Sequence, residues 1–287
     1  MLLAQVRHSE QRAALLGFAL GFLPVMSFLG AGIAATWSLR RGVLQAQWAL
    51  AGIIAPGIIL AWQGDATSLI GGIALLVLVQ VLRAKADWSR VLQVLVVLGA
   101  LATFAIQAAF SPYLDQLVEI TREAVTGFAA ELVAQMPPAQ LDAALTHLIV
   151  GSLSMATLGW TLLALLVARW YQSRIWHPGG FAQEILAIRL NPIFAMALVA
   201  IVVAGGALGA EAGRFVPIFL LPLIIAGLSM IHGLLARAQA PTPAHVAPYV
   251  VGMVFLSFVV PLLLVVAVAD SFMNFRKLPA GGSNEES

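Results

Sequence analysis

The chain contains no cysteine. That excludes disulfides, iron–sulfur clusters, cysteine nucleophiles and thiolate metal sites. Charge is scarce as well: only 10% of the 287 residues are Asp, Glu, Lys or Arg, while 61% are hydrophobic. A soluble domain carries about 25% charged residues. With so few, and a mean hydropathy of +0.96, this chain cannot clothe a surface in water, and lipid is the expected solvent for most of it. The net charge of +2 is small. No basic run with interleaved aromatics occurs, so nucleic acid is not an expected partner.

Catalytic signatures are missing too. The sequence has no Walker motif, no Gly-x-Ser-x-Gly, no His-Glu-x-x-His and no paired intramembrane aspartates. A hydrolase would therefore have no nucleophile–base pair, and the expectation is a non-enzyme without a cofactor. His147 and His232 each lack a second ligand at i+3 or i+4, so no metal site is expected.

What is present is a series of apolar runs. Eight can be delimited: Ala13–Thr36, Val43–Trp62, Ala66–Leu82, Val91–Phe110, Ala144–Ala168, Pro192–Ala210, Val216–Ala236 and Val246–Ala269. About 20 apolar residues span a hydrocarbon core. The expected fold is an all-α, polytopic transmembrane helical bundle of about eight spans, one domain over 1–275. Residues 276–287 are Gly-, Ser- and Glu-rich and read as a disordered tail. The polar N-terminus, with Arg7, His8, Glu10 and Arg12, precedes a retained first segment. That segment carries Pro24 at its centre and reads as one kinked helix or as a re-entrant hairpin.

Loop charges set the orientation. Arg40, Arg41, Arg83, Lys85, Arg90, Arg169, Arg174, Arg189 and Arg237 fall on one set of alternate loops, Arg122 and Arg214 on the other. The first set belongs in the cytoplasm. Eight plain spans would then leave Arg7, Arg12, Arg276 and Lys277 outside, whereas a hairpin around Pro24 returns the N-terminus to the cytoplasm. Trp37, Trp62, Trp88, Trp170 and Trp176 flank the runs as an aromatic belt.

Between the fourth and fifth runs, residues 112–135 show apolar residues at helical spacing (Leu114, Leu117, Val118, Val125, Phe128, Leu132), with Asp115, Glu119 and Arg122 opposite. This is an amphipathic extramembrane helix, with Ser111 as a candidate cap. Its acidic balance does not suit anionic lipid. Gly17-x-x-x-Gly21 and Gly205-x-x-x-Gly209 present small faces for helix contact.

Polar residues within or beside the runs are the candidate substrate-binding set: Glu211 and Arg214, three apart and able to pair, with Gln80, Gln107, Ser152 and Ser154. A partner-coupling set lies in the elbow after the fifth run: Arg169, Arg174, Pro178, Gly179, Gly180, Phe181, Glu184 and Arg189. Its Pro-Gly-Gly turn breaks the helix, and Glu184 can reach the arginines around it.

The elbow, ARWYQSRIWHPGGFAQEILAIRL over Ala168–Leu190, resembles the hallmark segment of the YybS-like family of bacterial membrane proteins. LPVMSFLGAGIAATWSLRRG over Leu23–Gly42 is similar to that family's first segment. The resemblance implies a multi-pass protein of the bacterial cytoplasmic (inner) membrane with about eight spans, and carries no established activity. That family in turn looks distantly like the substrate-binding components of energy-coupling-factor vitamin transporters, which have about six spans and dock a coupling partner through small-residue faces.

These observations favour a small-solute transport or substrate-capture component lacking its own ATPase. Its partners would be membrane lipids and a cytoplasmic or membrane coupling protein. Two alternatives stand beside it: a non-transporting scaffold or assembly factor recruiting a cytoplasmic protein, and a lipid-handling protein. A transporter requires a polar cavity, a scaffold a packed interior, and a lipid handler a lateral groove with an arginine at headgroup level.

Overall fold

Pro24 has no N–H to donate and its ring disfavours helix at the residue before it. The first apolar run accordingly breaks. In the computed structural model, which describes residues 9–176, 178–207, 209–273 and 275–277, helix α1 (Glu10–Gly21) is followed by α2 (Ser27–Arg41). The two fold back on each other. A Cβ added at Gly30 would lie 2.7 Å from the Leu20 Cβ and 3.0 Å from the Gly17 oxygen, so the backbones meet without room for a side chain. The first run is thus a helical hairpin. The polar residues 1–8, with Arg7 and His8, lie outside the described residues, as do residues 278–287 of the expected tail and the Phe128 and Leu132 side chains.

Further helices follow: α3 (Gln47–Trp62), α4 (Thr67–Lys85), α5 (Trp88–Phe110), α6 (Leu114–Ala134), α7 (Pro138–Trp176), α8 (Gly180–Leu186), α9 (Pro192–Ala207), α10 (Ala210–Gly213), α11 (Val216–Arg237), α12 (Thr242–Val254) and α13 (Leu256–Met273). The described residues contain no strand. Among the described residues, five helices are long and apolar enough to cross a membrane: α4, α5, α7, the α10–α11 stretch and α13; α3 and α9 are apolar but shorter. Trp62 is 91% and Met253 90% exposed. Such apolar surface is unusual on a soluble monomer and ordinary in lipid.

α7 is the central element and packs against α2, α4, α5 and α11. Its 39 residues make a rod of about 58 Å, roughly twice the hydrocarbon thickness. The excess at its N-terminal end pairs with α6. Val118 packs with Leu141 and Leu145 in a small core of its own, and Arg122 is ion-paired to Glu119 and Asp142. The amphipathic helix therefore stands in a two-helix projection. Ser111 does not cap it: Tyr113 holds that position, and the Ser111 hydroxyl donates back to the Ala108 carbonyl at 3.0 Å.

The last apolar run also departs from a plain span. Helix breaks at Phe255 (φ −121°, ψ 44°), between α12 and α13. α12 begins beside the C-terminal part of α11, where His245 and Tyr249 meet His232. α13 runs alongside α11 in the same direction: Leu263 lies against Gly227 and the Arg276 side chain against Gly233. Arg237, at the end of α11, donates to the carbonyls of Phe275 and Arg276 at 3.4 and 3.2 Å. α12 and α13 thus form a second hairpin, with both of its ends level with the end of α11.

Both hairpins return to the end of the bundle that carries most of the arginines, here the arginine end. At the first, Glu10 is buried and ion-paired to Arg41 at 3.0 Å. It also accepts the free N–H groups of Trp48 and Ala49 at 3.1 and 3.2 Å. A carboxylate on two orphan donors at a helix N-terminus is favoured by the helix dipole. At the second, Arg276, assigned by sequence to the tail, is anchored instead. It pairs with buried Asp270 at 2.9 Å and donates to the carbonyls of Leu186 and Ile188. Burial draws the Arg276 guanidinium below its ordinary value, and the Asp270 charge opposes that shift.

Close backbone approach should govern stability. A Cβ at Gly52 would stand 2.6 Å from the Ala14 oxygen and 2.8 Å from its Cα. Gly52→Ala is expected to cost about 1–3 kcal/mol through overpacking. Gly159→Ala, where a Cβ meets nothing within 4 Å, is expected to be neutral or stabilising by up to about 1 kcal/mol. Thermal unfolding in detergent would read the difference, and equal midpoints would remove the close-packing argument.

Candidate functional site

Glycine, chosen where helices must approach, leaves space wherever the approach is incomplete. Between the α1–α2 hairpin, α3, α4 and α7 lies a cavity of about 270 Å³. Six glycines line it (Gly17, Gly21, Gly52, Gly57, Gly71 and Gly72), together with the hydroxyls of Ser27, Thr67, Ser68, Thr157 and Thr161. Phe28 and Trp160 also line it, with ring centroids 5.0 Å apart and planes 20° from parallel. No Asp, Glu, Lys, Arg or His is among its described lining residues.

The hydroxyls have a common character. Thr157 donates to the Leu153 carbonyl at 2.8 Å, and Ser27 to the Pro24 carbonyl at 3.1 Å. Thr161 reaches the carbonyls of Thr157 at 2.8 Å and, on α4, Gly71 at 3.2 Å. Thr67 donates to the Asp65 carboxylate at 2.5 Å. The hydrogens of these four are spent within the chain, and what they present toward a guest is oxygen lone pairs. Four of the five hydroxyls thus form an acceptor surface beside the aromatic side.

The six residues read from sequence as a substrate set do not share this cavity. Gln80 and Ser152 are exposed, and Ser154 is buried with its hydroxyl on the Val150 carbonyl at 2.7 Å. Gln107 accepts from Arg214 at 2.5 Å. Glu211 is exposed, and no ion pair joins it to Arg214 among the described residues. Gly205 packs on Val216, whereas Gly209 sits in a turn with φ +90° and has no neighbour where a Cβ would be.

The elbow is a braced turn. Glu184 is ion-paired to Arg169, whose Nε donates to it at 2.9 Å, and accepts from the Trp88 indole at 3.2 Å. It joins α8 to α7 and to the start of α5. Arg189 donates to the carbonyls of Asp270 and Ser271 at 2.8 and 2.7 Å, and Ser229 to that of Ile185 at 2.6 Å. These residues fix the elbow to α11 and α13. Arg174, Pro178 and Gly179 are exposed, while Gly180 and Phe181 are half-buried. Gly179 adopts φ +89° as the lead-in to α8, a conformation that favours glycine.

Sequence reasoning also missed a histidine pair. His232 Nδ1 lies 3.3 Å from His245 Nδ1, and His232 Nε2 lies 2.9 Å from the Tyr249 hydroxyl. Only the fold-back of α12 brings them together, because thirteen positions of sequence separate the two histidines.

Removing the brace should loosen the elbow. Glu184→Ala strands a largely buried Arg169 and is expected to cost on the order of 3 kcal/mol. Cleavage by trypsin at exposed Arg174 should then accelerate severalfold; an unchanged rate would mean that the brace does not hold the turn.

No protein-family model, curated protein or solved structure matches the chain.

Proposed function

We propose that this protein is a small-solute capture or transport component of the bacterial cytoplasmic membrane, without an ATPase of its own. The observation that supports this most directly is the cavity of about 270 Å³ among α1–α4 and α7. It is close to the lower end of ordinary ligand pockets, about 300 Å³. A scaffold would be expected to fill this space with side chains. The wall's spent hydroxyls and aromatic side favour a compact guest that brings its own N–H or O–H donors.

On this reading six helices cross the membrane (α3, α4, α5, α7, α9 and α11), and the two terminal hairpins enter and leave on one side. An even number of crossings keeps both ends of the chain with the arginines, in agreement with the positive-inside rule. The eight apolar runs are thereby six crossings and two hairpins. Energy would come from a gradient or a partner. The exposed elbow residues Arg174, Pro178 and Gly179 are the surface for such a partner, held rigid by Glu184, Arg169 and Arg189.

The test is thermal stabilisation of the detergent-purified protein by a panel of small alcohols, amines and uncharged analogues. A guest at about 100 times its Kd adds about 2.7 kcal/mol, a shift of several degrees. Ala31→Phe, which fills the cavity, should abolish the shift. Thr161→Val should weaken binding about fivefold, the loss of roughly one hydrogen-bond acceptor. If no donor-bearing solute shifts the midpoint, or if the shift survives Ala31→Phe, the capture reading fails.

A further inference from the structure

A second concavity lies on the flank of the bundle, away from the solute cavity. It occupies about 580 Å³ between α5, α9 and α11, and is walled by Phe104, Phe215, Phe219 and Ile201 around the small Ala200 and Ala204. Among the described residues, every lining side chain is apolar. Phe104 and Ile201 are 54% and 40% exposed, so the groove opens sideways, onto the face that lipid covers.

Arg214 stands where this groove ends. Its guanidinium carbon lies 5.0 Å from the Phe104 ring centre and 4.9 Å from that of Phe215. The two rings that flank the cation are thus groove walls as well. One Nη donates to Gln107. The buried Nε has no hydrogen-bond partner, and no carboxylate forms an ion pair with this side chain among the described residues. Residue 214 follows the α9 crossing and precedes α11, at the end of the bundle opposite the arginine end. An arginine at a membrane boundary with no carboxylate in ion-pair contact is costly unless an anion meets it.

We propose that the groove holds an acyl chain of an anionic phospholipid whose phosphate binds Arg214. The groove supplies apolar contact and no hydrogen bonds, which suits a hydrocarbon chain and no soluble metabolite. The guanidinium supplies the charge and unused donors that a phosphate accepts in pairs. Neither half is sufficient alone: a free phosphate has no use for the groove, and a zwitterionic lipid brings its own ammonium, which offsets the phosphate charge that Arg214 would meet. The site is independent of the solute cavity.

The test is native mass spectrometry of the full chain from nanodiscs holding equal phosphatidylglycerol and phosphatidylcholine of matched chains. The expected result is retention of phosphatidylglycerol over phosphatidylcholine by about fivefold, the worth of one cationic contact at a membrane surface. Arg214→Gln should bring the ratio to near one, and Arg214→Lys should keep most of it. Ala204→Phe, which fills the groove from a half-exposed position, should remove the retained lipid while leaving Arg214 in place. Should Arg214→Gln fail to fold, Ala204→Phe and the wild-type ratio decide the matter. No preference in the wild type, a preference surviving Arg214→Gln, or lipid surviving Ala204→Phe would each overturn the proposal. So would displacement of the lipid by millimolar inorganic phosphate, which would mark a simple anion site. None of these outcomes depends on the thermal-shift result for the solute cavity.

Discussion

The structure depends on three buried or largely buried carboxylates at one end of the bundle. Glu10, Glu184 and Asp270 each face an arginine: Arg41, Arg169 and Arg276. Two of them also accept from neutral N–H donors, Glu10 from the start of α3 and Glu184 from Trp88. A carboxylate removed from water must find charge and donors nearby or it will not remain ionised. Meeting that requirement pins the first hairpin to α3, the elbow to α5 and α7, and the last helix to the elbow. Apolar burial cannot do this work within lipid, because the surrounding chains are as apolar as the core.

With that end fixed, the helices close on one another through glycine. Gly17, Gly30 and Gly52 bring α1, α2 and α3 to backbone contact, and Gly227 does the same for α11 and α13. Where glycines face one another without full closure, the cavity remains. Its neutral, hydroxyl-bearing wall lies beside α7, the helix that also carries the elbow at its C-terminal end. A guest in the cavity and a partner at the elbow would therefore act on one continuous rod, braced to its neighbours by Arg169 and Glu184. The projecting pair of α6 and the first part of α7 has its own small core and leaves the acidic side chains of α6 exposed.

The membrane class was legible from composition alone, because 10% charge cannot solvate a chain of this length. Helix α6 was legible from its spacing, and the reach of Glu184 to an arginine from the elbow's composition. The residues proposed as a substrate set were chosen for polarity, and polarity within a span does not say which way a side chain points. Gln80 turns outward, Gln107 serves Arg214, and Ser154 returns its hydrogen to its own helix. The cavity is built from glycine and threonine, which look like packing in sequence because that is their commoner use.

Hydropathy determined where the chain leaves water, since that depends on the local run of residues. It could not determine how many runs cross. A run broken at Pro24 and another broken at Phe255 have the length and apolarity of spans, yet both fold back. The decision belongs to contacts far apart in sequence: Glu10 with Arg41 and α3, Arg237 with the carbonyls of 275 and 276, and His232 with His245. A hairpin and a span bury the same apolar residues in the same lipid. Only the partners that meet the buried charges and free backbone groups tell them apart, and those partners are set by the tertiary structure.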